Sequence, residues 1–314
     1  MNITPSQCKR FYKSTKHQKN SVLIHFHGGL GNQIFLYAFY LYLQSIGVKV
    51  KFNFREFKYD AYHYGIELHK IFDIDCSSTI KKIEKFRKLN NKKQSKFSSR
   101  SFVLWRLLMR YKPISENNTK VHSPSTIAPI LENFKKIFII GNFISIDYPE
   151  TIKNTLFSKL LKIENMGRSN DELLNTIKCR NSISIHVRRG DYINLGWDLL
   201  TANVDYYNRA IKIMCSQIYN PIFIVFSDDP VWVKNNLLIP HDHIFVDWNN
   251  GEESYKDLLL MTQCSHNIIA NSTFSWWGAY LNQNPNKMVI VPKEWAESKT
   301  DREITPQNWI KIEV

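Results

Sequence analysis

The chain has 314 residues, 43% of them hydrophobic, with only 11 glycines and 11 prolines. This excludes a disordered or low-complexity polymer and leaves interior for one large or two medium domains. The net charge of +14 is concentrated: residues 81–112 carry twelve Lys or Arg against one Glu, residues 1–20 carry five cations and no acid, and the rest is close to neutral. Two local basic segments, not a global nucleic-acid-binding surface, account for that charge. Cys8, Cys76, Cys179, Cys215 and Cys264 form no Cys-x-x-Cys pair, which argues for reduced thiols and against a disulfide framework or zinc site. No apolar run reaches the ~20 residues of a membrane span, and residues 22–26 are too short for a signal-peptide core. The expectation is a cytoplasmic protein.

In chain order, residues 1–20 read as a basic tail. Residues 21–26 (SVLIHF) predict a strand, 28–33 (GGLGNQ) a glycine turn, 34–46 a buried helix and 48–54 a second strand, a βαβ opening. Residues 77–125, rich in Lys, Ser and Asn around an apolar patch at 102–109, read as a basic insertion. A strand is predicted at 137–140 and helix over 147–180. From residue 182 strands and helices alternate: strands at 182–187, 221–226, 244–246, 268–270 and 288–291, helices at 205–216, 254–264 and 274–281. Polar residues follow several of these strands, where open parallel sheets bind ligands. The domain reading is a tail at 1–20, an acceptor-side domain at 21–160 with its insertion at 77–125, and a donor-binding domain at 161–314.

Three motifs carry chemistry. His186-Val187-Arg188-Arg189-Gly190-Asp191 puts two guanidinium forks at a strand end. Such forks make bidentate contacts to phosphate oxygens and stabilise a departing diphosphate. Because neighbouring strand residues point to opposite faces, one arginine is expected to face the ligand and the other to hold Asp191. Read alone, the same motif also fits a surface salt-bridge turn. Asn271-Ser272-Thr273-Phe274-Ser275-Trp276-Trp277-Gly278 opens a helix with small hydroxyl residues, a pattern that suits an anion and suits an ordinary N-cap better; its tryptophans read as core. The turn at 28–33 is neither a Walker loop nor a dinucleotide fingerprint. Asp73-Ile74-Asp75 and His241-Asp242-His243 are weak metal motifs.

In order along about 250 residues, GGLGNQIFLYA (28–38), HVRRGDY (186–192), VDYYNRAI (204–211), FSDD (226–229) and DLLLMTQCSHNIIANSTFSWWGAYLN (257–282) resemble the α1,2-fucosyltransferase family. The resemblance implies an α/β chain of type B glycosyltransferase fold, two Rossmann-like domains facing across a cleft. It implies inverting transfer of L-fucose from GDP-fucose to a glycan acceptor, at the 2-hydroxyl of a terminal galactose, with no cofactor and no metal. Arg188 is then expected on the diphosphate and Asn32 near the donor from the first domain. His186 and Asp257 are expected on guanine, and Thr273, Phe274 and Ser275 beside phosphates or base, with Arg189 and Asp191 completing the donor site. His27 and Asp198 are candidates for the general base by their position near the motifs. Lipid-linked acceptors among bacterial members, with the basic insertion, suggest peripheral contact with an anionic membrane. The alternatives are a fucosyltransferase of α1,6 or O-linked type, and a basic nucleic-acid-binding protein, for which no recognition motif is present.

Overall fold

A computed structural model describes residues 21–54, 56–58, 64–89, 111–115, 123–190, 193, 202–295 and 304–314. The chain divides into two compact units after Leu161, with Thr305–Val314 belonging to the second.

The first unit opens with β1 (Ser21–His25). Helix α1 (Leu30–Ser45) follows, and it is apolar on most faces and buried along most of its length. It begins a turn earlier than the sequence predicts. Only Gly28 and Gly29 form the turn, and Leu30–Gln33 are already helical, because Gln33 N–H closes a helical bond to Gly29 O at 3.0 Å. Next come β2 (Lys49–Asn53), α2 (Ser77–Leu89), β3 (Lys112–Ser115), α3 (Pro124–Asn133), β4 (Lys136–Ile140), α4 (Asp147–Thr151) and α5 (Lys153–Phe157). The four strands are all parallel, in the order β2-β1-β4-β3. The basic stretch 77–125 therefore contributes an edge strand. Its sequence, KPIS, hides it: a proline in a short strand is tolerated only at an edge or a strand start.

The second unit contains α6 (Arg168–Cys179), β5 (Asn181–Val187), α7 (Val204–Gln217), β6 (Pro221–Ser227), α8 (Pro230–Asn236), β7 (His243–Val246), α9 (Tyr255–Gln263), β8 (His266–Ile268), α10 (Thr273–Tyr280), β9 (Val289–Pro292) and β10 (Ile310–Ile312). Its strands are parallel, in the order β10-β9-β8-β5-β6-β7. Numbered from β5, that is 6-5-4-1-2-3, the Rossmann order. The strand order reverses between β5 and β8, and open sheets of this topology bind ligands at the carboxyl ends of such strands. Strands β5 and β6 are buried on both faces, as a sheet covered by helices on both sides requires. Trp276 and Trp277 are core residues, as the sequence suggests: both are fully buried, and Trp276 stacks on Tyr280 with ring centroids 4.7 Å apart.

Candidate active site

The switch point of the second sheet carries two of the three motifs. His186 and Val187 end β5, and Arg188-Arg189-Gly190 follow. Asn271 and Ser272 follow the segment after β8, and α10 begins at Thr273. The rings of His186 and Phe274 lie 5.4 Å apart, which joins the two motifs directly.

The Arg188-Arg189-Gly190 turn is held by the end of β6. One carboxylate oxygen of Asp228 accepts from Arg189 N at 2.8 Å, and the other accepts from Gly190 N at 3.1 Å. The second oxygen also lies 3.1 Å from Arg188 Nη1. Asp229 Oδ2 is 3.7 Å from Arg189 Nε, and the Arg189 guanidinium lies 3.6 Å over the Trp232 ring. Each arginine thus has its own aspartate from the Phe226-Ser227-Asp228-Asp229 segment. Asp191, expected to pair with one of them, lies outside the described residues, as does Asp198. A Cβ at Gly190 would stand 3.0 Å from Asp228 Oδ2, so any larger residue there would press on the carboxylate that holds the turn.

His186 is buried, and its Nδ1 has no hydrogen-bond partner among the described residues. Burial, reinforced by the Arg188 charge, lowers its pKa to about 3, so the imidazole is neutral at physiological pH. Tyr207 fixes the strand end by donating its hydroxyl to His186 O at 3.0 Å. Tyr206 donates to Ile269 O at 2.7 Å. These bonds explain the paired tyrosines of VDYYNRAI, whose positioning role the sequence did not reveal. Ser275 is fully buried, and its hydroxyl lies 3.2 Å from Ala270 O and 3.1 Å from Ser272 O. The backbone N–H groups of the first turn of α10 point out of the helix end, as at any helix start.

Asp257 stands in the first turn of α9. Asn249 Nδ2 donates to its Oδ1 at 2.7 Å, and Asn249 exchanges hydrogen bonds with Asn170 at 2.8 and 2.9 Å. Trp248 Nε1 donates to Asn170 Oδ1 at 2.8 Å. Burial raises the Asp257 pKa to about 7, against which the Asn249 hydrogen bond acts. A carboxyl whose folded pKa is raised contributes stability that is fully present below its ordinary pKa of 3.8 and is lost as pH climbs through about 7. Asp257→Asn is therefore expected to flatten the fall in melting temperature between pH 4 and 7 and to be no less stable than the parent at pH 8. Calorimetry across that range checks it; a variant that melts lower at pH 8 would refute the assignment.

In the first unit, Asn32 lies in the first turn of α1, against Gly28. Gly28 has φ +77°, and a Cβ there would sit 3.1 Å from Asn32 Nδ2. Gln33 turns inward instead, donating to Gly28 O and Gly65 O and accepting from Glu67 N. His27 Nε2 is 3.3 Å from Gly141 O, across the switch between β1 and β4. His25 stacks on His27 and pairs with Glu56 at 2.5 Å. Asp75, half of the weak Asp-x-Asp motif, accepts from Ser77 N and Oγ at the start of α2, and Asp242 pairs with Arg180 at 2.8 Å. Among the described residues no group of three His, Cys, Asp or Glu is placed to hold a metal, and no helix is long and apolar enough to cross a membrane.

Two units of parallel sheet, one in Rossmann order with arginines at its switch point, are the parts of a type B glycosyltransferase. A crystal structure of NodZ α1,6-fucosyltransferase soaked with GDP-fucose shares this fold, with a TM-score of 0.51 at 14% identity over 83% of this chain and 91% of that one; a further crystal structure identifies NodZ as from Bradyrhizobium. The family model of glycosyl transferase family 11 matches residues 21–313, and the chain belongs to that family, the α1,2-fucosyltransferase family. An α1,2-colitosyltransferase of Escherichia coli is 30% identical over 298 residues, 91% of this chain and 97% of its own length. The O-antigen biosynthesis glycosyltransferase WbnK of Escherichia coli is 38% identical over 135 residues, and that match spans 42% of this chain and 45% of WbnK. A galactoside 2-α-L-fucosyltransferase of Bos taurus is 33% identical over 103 residues, 32% of this chain and 28% of the animal protein.

Proposed function

We propose that the protein transfers L-fucose from GDP-fucose to the 2-hydroxyl of a galactose in a glycan acceptor, inverting the β-linked donor to an α-linked product. The observation that carries this reading is the pair of arginine forks at the end of β5, fixed by Asp228 and Asp229 at the switch point of a Rossmann-ordered sheet. Arg188 binds the diphosphate and gains most in the transition state, when charge collects on the departing GDP. Arg189, stacked on Trp232 and paired with Asp229, orients the turn, with Asp191 two residues on in sequence. Neutral His186 and Asp257 read the guanine; Thr273, Phe274 and the Ser275 backbone line the phosphates or base. Asn32 contributes from the first unit. His27 or Asp198 takes the acceptor proton, a step that adds about 10²- to 10⁴-fold.

Transfer from GDP-fucose to a panel of galactosides, with linkage read by NMR, tests the reading; a product with any other linkage, or none, would overturn it. A second reading comes from the colitosyltransferase that matches nearly the whole chain. Colitose is fucose without its 3-hydroxyl, so the same diphosphate and guanine contacts would serve a GDP-colitose donor. Competition between the two donors decides: a site that hydrogen-bonds the 3-hydroxyl rejects the deoxy sugar strongly. The acceptor is proposed to be an oligosaccharide or lipid-linked polysaccharide precursor.

No metal is needed in this scheme, because the Arg188 guanidinium supplies the charge. Turnover is expected to be unchanged in EDTA. Strict loss, restored by manganese, would return Asp73 and Asp75 to consideration.

A further inference from the structure

The amino-terminal edge of the first sheet takes no part in the site above. All its strands are parallel, and three of the four begin on a lysine: Lys49 in β2, Lys112 in β3 and Lys136 in β4. Ser21 of β1 is in register with Lys49 on one side and Lys136 on the other. Strand spacing places those two lysines about 10 Å apart. Lys135 precedes β4, and its carbonyl accepts from Ser21 N at 2.9 Å. All four lysines are exposed, and none is joined to a carboxylate among the described residues. Glu132, exposed in the last turn of α3, is the nearest acid along this part of the chain.

The patch is not purely ionic. Lys112, Lys135, Lys136 and Phe134 line a shallow depression of about 360 Å³. Lys112 Nζ sits 5.5 Å from the Phe134 ring centroid, and Lys136 Nζ 5.8 Å from that of Tyr111. Part-buried aromatic rings beside uncompensated ammonium groups on apolar stems suit a water–lipid boundary.

We propose that this edge docks on an anionic phospholipid surface. Charge complementarity selects the partner: four like charges, close together and uncompensated, cost least next to a dense layer of phosphate groups. The patch offers no helix or strand ribbon to a nucleic-acid groove. In sequence, the basic residues 1–20 lead directly into β1 and those of 81–112 directly into β3, both at this edge. The strands are four or five residues long, about 16 Å, and their opposite ends carry His27 and the Gly28 turn. Docking at the amino-terminal edge therefore leaves the carboxyl ends of the strands uncovered.

The test is co-sedimentation of the whole chain with phosphatidylcholine vesicles, with and without ~30 mol% phosphatidylglycerol, in ~0.1 M salt. Each lysine near such a surface contributes about fivefold to partitioning. The triple variant Lys112→Gln/Lys135→Gln/Lys136→Gln is expected to lose about 100-fold of the binding to anionic vesicles. It should keep its melting temperature and its turnover on a water-soluble acceptor. Where the triple variant is misfolded, Lys135→Gln alone, a substitution outside the strands, should still lose about fivefold. Wild-type binding that ignores phosphatidylglycerol, or variants that bind as well as wild type, would overturn the proposal. So would tighter binding to duplex DNA that the same variants abolish, which would identify nucleic acid instead. Vesicle binding requires no donor sugar, so its failure is read separately from failure of fucosyl transfer.

Discussion

Arg188→Ala should reduce transfer from GDP-fucose by about 10²- to 10³-fold while the protein melts within a few degrees of the parent. The side chain is part-buried, 29% exposed, but the turn stays anchored by the two backbone N–H groups that donate to Asp228, so its loss should leave the fold in place. On the proposed reading, what disappears is a fixed positive fork where the β-phosphate gains charge as the glycosidic bond opens. Because that interaction strengthens in the transition state, the loss should fall on kcat as well as on kcat/KM. Arg188→Lys keeps the charge but not the planar two-pronged geometry, and should lie between the two. Single-turnover assays beside a thermal melt make the measurement. A folded Arg188→Ala protein with near-normal turnover would remove the diphosphate role.

Asp228→Ala should be almost as damaging for a different reason. Asp228 need not touch the donor; it holds two backbone N–H groups and one guanidinium of the turn at once. Without it the forks remain present but lose their fixed position, and a displacement of about 1 Å in such a site costs on the order of 10²-fold. Unlike Arg188→Ala, this substitution should also lower the melting temperature. Asp228→Asn keeps an acceptor for one N–H group and should recover part of the activity. If Asp228→Asn and Asp228→Ala were equally and fully active, the turn would be holding itself and the positioning role would be wrong.

The fold was largely legible because several strands of the second unit are short and rich in β-branched and aromatic residues and are followed by polar segments: Ile222–Phe226 within β6 is the plainest apolar run, and β5 alternates isoleucine with polar residues. Strands β3 and β10 were not legible. One opens on Lys-Pro, the other is three residues with a central lysine, and both lie at sheet edges, where one flank meets solvent and pattern is weakest. The site was legible only where chemistry is carried by unusual residue pairs. Two adjacent arginines stand out in any sequence; the aspartate that locks them does not, because its partners are backbone N–H groups thirty-eight and thirty-nine residues away in the chain. The alternation argument assigned one arginine to Asp191, which lies outside the described residues; the described partners of Arg189 are Asp229, just past the end of β6, and the Trp232 indole, neither of which local spacing links to it. Asp257 shows the same limit. Its raised proton affinity comes from burial in the folded unit, which sequence distance conceals.

The all-parallel topology also has a consequence for how the chain is made. Ser21 finds one partner at Lys49 but its other only at Lys136, and Ile183 finds one at Phe223 but its other only at His266. A nascent chain emerging from the ribosome therefore carries β1, and later β5, with one flank unmated until the distant partner is synthesised. Each unit should close late and in one step, and its central strands are where chaperones would be expected to act.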